Sequence, residues 1–160
     1  MIRLIEEDEL AECLSVIHSS FETVARQFNL TKENCPKHTS FMPIERLEQQ
    51  FDEKRLMYAY VENEKIIGYF SLCKNEDGSY ELLNVAVLPE NRHSGIGKEM
   101  VLFASDKVRE LGSNKIKIGI IEENEKLKEW YSRIGFEHTG TRKFDHLPFT
   151  VGFMEMKICP

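Results

Sequence analysis

The stretch from Val85 to Lys98 constrains this chain more than any other. An apolar, strand-like run ends at Pro89. A polar turn follows, carrying Arg92, Gly95 and Gly97. A helical spacing then starts at once, with Ile96, Met100, Phe103, Ala104, Val108 and Leu111 on one face before Gly112. Residues 115–121 alternate lysine with isoleucine and read as another strand. Strand, helix and strand in this order predict a right-handed crossover and a parallel pair. The turn itself has a chemical consequence. The first N–H groups of a helix lack intrahelical partners and carry a partial positive charge. Gly95 and Gly97 have no side chains, so an anion can approach the backbone closely, and Arg92 and Lys98 can add charge. A pyrophosphate suits such a nest. The competing reading is that the two glycines serve only a tight turn.

The rest of the chain supplies the partners. Residues 1–5 read as a strand. From Asp8 onward Leu10, Cys13, Leu14, Ile17, Phe21, Val24, Ala25 and Phe28 recur at helical spacing. Residues 29–42 break the pattern, and 43–51 form a shorter helix with proline at its start. Strand-like runs at 56–61, 66–73 and 80–88 are joined by short turns and predict three neighbouring antiparallel strands. Alternation would put Glu81, Leu83, Val85 and Val87 on one face. Residues 125–134 predict a short helix, capped by Asn124 and closed by Gly135. Strands at 136–144 and 149–158 complete the chain. The expected class is α+β, a mixed and mostly antiparallel sheet with helices on both faces, in a single domain over 1–160.

Composition narrows the function classes. The chain has 21 basic and 27 acidic residues, a net charge of −6, which argues against broad nucleic-acid binding. No run approaches the length of a membrane span, and the N-terminus lacks the pattern of a secretory signal, so a cytoplasmic protein is expected. Cys13, Cys35, Cys73 and Cys159 are scattered and read as free thiols. The five histidines lack the paired spacing of a zinc site, so no metal is expected.

Two familiar phosphate loops do not fit. A P-loop requires serine or threonine after its Gly-Lys, and Lys98 is followed by Glu99. A dinucleotide fingerprint requires a third small residue, where this chain has Met100. Glu122 or Glu123 falls where a ribose-binding acid would sit, but only one βαβ unit is visible. A nucleotide-binding oxidoreductase is therefore disfavoured.

The string Val85-x-Val87-x-Pro89-x-x-Arg92-x-x-Gly95-x-Gly97 resembles the acetyl-coenzyme A signature of GNAT-type N-acetyltransferases, Q/R-x-x-G-x-G/A. Asn124, Tyr131 and Gly135-Phe136 resemble a second element of that family at the right distance. The order of elements is similar over nearly the whole chain, least so in residues 8–55. Many family members have glycine after the arginine, where this chain has His93, a residue read as solvent-facing or at the rim of the site.

The resemblance implies transfer of an acetyl group from acetyl-CoA to a primary amine of a small molecule or peptide, by direct attack. Backbone amides over Arg92, His93, Ser94, Gly95, Ile96, Gly97 and Lys98 would hold the pyrophosphate. Ala86 and Val87 would hydrogen-bond the pantetheine arm as an added strand does, along an edge that the family opens by splaying two strands. Asn124 would both cap its helix and touch the cofactor. Tyr131 is the candidate acid for the leaving thiolate, against a reading as core packing. Glu81 is the candidate base that takes the ammonium proton, against a reading as an exposed charge. Residues 29–51 and the turn 145–148 either border an acceptor pocket or merely cover a sheet face. The resemblance alone admits a homodimer, and no sequence feature is assigned to it. A non-catalytic acyl-CoA sensor is the alternative.

Overall fold

The computed structural model describes residues 1–159. In chain order the elements are β1 (Ile2–Leu4), α1 (Leu10–Gln27), α2 (Ile44–Asp52), β2 (Leu56–Glu62), β3 (Lys65–Lys74), β4 (Tyr80–Val87), α3 (Ile96–Glu110), β5 (Lys115–Ile121), α4 (Glu125–Ile134), β6 (Glu137–Lys143) and β7 (Thr150–Lys157). Short 3-10 turns lie at Glu7–Glu9, Thr39–Phe41 and Pro89–Asn91. The strands form one seven-stranded sheet in the order β1-β2-β3-β4-β5-β7-β6. β4 and β5 run parallel, and the other neighbours are antiparallel. This is the mixed α+β architecture expected from the alternating and helical spacings.

Both faces of the sheet are covered, and a glycine permits one of the contacts. A Cβ at Gly68 would lie 3.0 Å from Met100 Sδ, so α3 approaches β3 closely only because that side chain is absent. Tyr69 points to the opposite face, towards Cys13 of α1. From α1, Cys13 and Ile17 are fully buried and Val16 nearly so. Burying an aliphatic chain of that size contributes about 2 kcal/mol, which explains why α1 keeps its apolar stripe. Burial pushes the Cys13 thiol up to about 12, so it stays protonated and inert.

The entry to α1 is held by charge. Glu9 accepts hydrogen bonds from the Arg3 guanidinium at 2.9 and 2.6 Å and from the Glu6 N–H at 2.8 Å. The Arg3 bond above all holds the Glu9 carboxyl at about 2, down from 4.5. A folded value below the unfolded one means that the pair's contribution is present above pH 4.5 and is lost as the pH falls towards 2. Urea titrations across that window should show stability falling more steeply for the native protein than for Glu9→Gln; equal slopes would dismiss the pair as a stabiliser.

Two departures from regularity shape the middle of the sheet. β4 and β5 are paired only at Tyr80↔Ile116 and Glu81↔Lys117, after which the strands part. Between Ser71↔Leu83 and Tyr69↔Ala86, two residues of β4 oppose one of β3, with Asn84 at φ 54°. That is a β-bulge, and Asn tolerates the left-handed region better than most residues. The bulge overturns the simple alternation expected for this strand. Directly opposed residues share a face, so Glu81, Leu83 and Ala86 lie on the α1 side while Val85 and Val87 face α3. An extra residue inverts every side chain beyond it.

Candidate functional site

The parting of β4 from β5 leaves a wedge, and the bulge decides which backbone groups face it. The Leu88 N–H donates to the Ile67 carbonyl at 2.9 Å, and Ala86 pairs with Tyr69. The peptide groups of Ala86 and Leu88 therefore face β3. Those of Val85 and Val87 face the wedge, since neighbouring residues in a strand point to opposite edges. Of the two residues expected to line this edge, Val87 presents its N–H to it, while Ala86 is committed to β3 and fully buried.

The wedge opens onto the turn before α3. Gly95 sits at φ 86° as the N-cap and His93 at φ 64°, so the chain enters α3 through two left-handed residues. Among the described residues, the N–H groups of residues 93–98 have no acceptor; the first bond of α3 is from Glu99 N–H to the Gly95 carbonyl. His93, Ser94, Gly95 and Lys98 are exposed, Ile96 is buried into the core and Gly97 is half-buried. The Ser94 hydroxyl is tied back to the Asn91 carbonyl at 2.7 Å. A Cβ at Gly97 would stand 3.2 Å from Trp130 Cζ2, so this glycine makes room for the indole of α4. Arg92 does not point outward. Its guanidinium donates to Thr23 Oγ1 at 3.0 Å, to the Ser20 carbonyl at 2.8 Å and to Ser20 Oγ at 3.1 Å. Burial lowers its pKa from the ordinary arginine value, and the side chain fastens the turn to α1.

Across the wedge, α4 begins where expected. Asn124 Oδ1 accepts the Leu127 N–H at 3.3 Å, and Gly135 ends the helix at φ 130°. Tyr131 is 6% exposed, packed edge-on against Trp130 at 4.8 Å and Phe136 at 5.3 Å. Burial pushes its pKa above the ordinary phenol value. The phenol is therefore protonated at physiological pH. Glu122 is held by Lys128 and by His138 at 2.9 Å, and Glu123 accepts the Thr150 N–H at 2.7 Å. Both acids thus brace the end of β5 against α4, β6 and β7.

Glu81 is half-buried at the closed end of the wedge, on the α1 face, opposite Lys117. The Lys117 ammonium binds Asp77 at 2.8 Å rather than Glu81. From Asn84 to Glu81 the strand runs about 10 Å, so Glu81 and the turn occupy opposite ends of the wedge. On the same face, the loops after α1 and after β6 meet in a small apolar cluster of Ala25, Leu30, Cys35 and Ile121, joined by Leu147 and Phe149. The two segments expected to border an acceptor pocket are therefore brought together. The Thr39 hydroxyl reaches Asn84 Oδ1 at 3.5 Å, placing the short 39–41 helix over the bulge. His38, beside it, is held neutral by burial, which lowers its pKa.

Sequence reasoning missed Asn84, Ser20, Thr23 and Trp130. Asn84 carried a signal, since asparagine is depleted in strands and tolerates positive φ. Ser20 and Thr23 carried none, because their partner is far along the chain.

A family model described as "Acetyltransferase (GNAT) family" matches residues 21–136. An uncharacterised N-acetyltransferase of Bacillus subtilis, YvbK, is 27% identical over 94 residues, which span 59% of this chain and 61% of that protein. The chain thus matches about three fifths of the length of such curated relatives. Among solved structures, the PaiA N-acetyltransferase of Thermoplasma acidophilum, in complex with coenzyme A, superposes with a TM-score of 0.82 at 20% identity over 98% of each chain. A ribosomal-protein-alanine N-acetyltransferase of Brucella melitensis gives 0.75 at 21% identity, over 98% of this chain and 99% of that one. At those identities the structures speak for the fold alone. The family model, however, fits from the middle of α1 to just past α4 and admits one conclusion: the chain belongs to the acetyltransferase (GNAT) family.

Proposed function

We propose that this protein transfers an acetyl group from acetyl-CoA to a primary amine. The observation that carries the reading is the wedge between β4 and β5, which ends on the unpartnered N–H groups of residues 93–98. A pyrophosphate fits those amides, because they lie at a helix start, in a turn whose residues His93, Ser94, Gly95 and Lys98 are exposed. The amide-rich arm fits the wedge as an added strand on the Val85 and Val87 edge. Arg92 supports this site from beneath rather than by contact. Among the described residues its half-buried charge has no carboxylate partner, and it adds to the field of the turn.

The chemistry divides between the two sides of the sheet. The amine reaches the thioester from the α1 face, where Glu81 lies. Glu81 takes the ammonium proton through water, given the distance of about 10 Å from the bulge. The Val85 N–H on the open edge stabilises the oxyanion. Tyr131 gives its proton to the leaving thiolate. The acceptor is a small-molecule or peptide amine bordered by the 38–41 segment and the loop after β6.

A turnover assay that detects free coenzyme A thiol, run over a panel of small amines and peptides, tests the reading. Thiol release that depends on both acetyl-CoA and an amine is expected. Tight acetyl-CoA binding with no release for any amine would instead favour an acyl-CoA sensor.

A further inference from the structure

The edge N–H of Val87 is not idle. It donates to Ser20 Oγ at 3.3 Å, and the same oxygen receives a second bond from Arg92 Nη2 at 3.1 Å. Ser20 is 6% exposed, so this is an interior contact between α1 and the wedge. We infer that Ser20 is a positioning residue for the coenzyme A arm: its hydroxyl holds the Val87 N–H in the ligand-free protein and yields it to an amide carbonyl of the bound arm. The inference rests on the coenzyme A reading above.

Three features support the exchange. A half-buried strand N–H needs an acceptor, and among the described residues Ser20 is the one that Val87 has. At 3.3 Å the bond is longer than usual for N–H to oxygen, so giving it up costs little. Arg92 remains bonded to Ser20 Oγ and to the Ser20 carbonyl, so the hydroxyl is not stranded once it lets go. The hydroxyl thus keeps the edge satisfied and aligned until a ligand carbonyl takes its place.

Calorimetry with coenzyme A, thermal melting without ligand, and the amide signal of Val87 together test this. Ser20→Ala removes the competitor for the edge N–H. The ligand-free variant should melt below the native protein, yet bind coenzyme A about fivefold tighter. Its Val87 amide should exchange quickly with solvent when free and slowly when bound. A merely structural serine, or one that contacts the arm directly, would give unchanged or weaker binding; either result overturns the inference. The native protein supplies a check independent of any variant: saturation with coenzyme A should shift the Val87 amide resonance, and an unmoved resonance rejects the exchange. Native protein that binds no coenzyme A would overturn the functional reading itself.

Discussion

Gly97→Trp should abolish acetyl-CoA binding. The position lies in the first turn of α3, within the run of free N–H groups, and even a methyl there would crowd Trp130 at 3.2 and 3.3 Å. An indole cannot be taken up by the few tenths of an ångström that Trp130 can yield. It must displace α4 or project over the turn, where an anion would rest. Overpacking of this kind costs about 1–3 kcal/mol, and losing a phosphate's close approach to the backbone adds to it. Affinity falls tenfold for each 1.4 kcal/mol or so, so the combined loss should exceed what calorimetry detects. Gly97→Ala is the graded control. It asks only for a small shift of Trp130 and should retain measurable binding. A folded Gly97→Trp protein with native affinity would show that the ligand is held elsewhere.

Tyr131→Phe should lower kcat by about a hundredfold, the scale of a lost general acid, with much less change in the KM for acetyl-CoA. The ring stays packed against Trp130 and Phe136, so only the hydroxyl is removed. A rate unchanged at saturation would take Tyr131 out of the mechanism and leave it as core. The pH profile has a fixed sign. An acid acts while protonated, and burial raises the Tyr131 pKa above the ordinary value of 10.0. Native activity should therefore show no decline from phenol ionisation below about pH 10. If the rate fell near pH 8, the cause would lie in another group.

The sequence made much of this molecule legible because its signals were local. The spacing of Ile96, Met100, Ala104 and Val108 specified α3 and its buried face, and all four are in the core. Asn124 and Gly135 marked both ends of α4 through short-range hydrogen bonding and a positive φ. The turn at Gly95 was readable because a φ of 86° favours glycine, and glycine reports that directly. The face assignment of β4 failed for an equally physical reason. Alternation holds only while each residue advances the pleat, and Asn84 adds one that does not.

By itself, then, the sequence determined the order of elements, the glycine turn before α3 and the family resemblance, since each is carried by short-range patterns. Only the tertiary structure decided what the signature arginine does. Arg92 and Ser20 are 72 residues apart, and nothing in the turn says that the guanidinium folds back onto α1. It also decided that β4 leaves β5 after Glu81, that Val87 rather than Ala86 presents its N–H to the gap, and that the loops after α1 and β6 meet over Ile121. Each is a contact between distant segments, fixed by how the sheet twists apart and which helix covers it, and no short-range pattern encodes that.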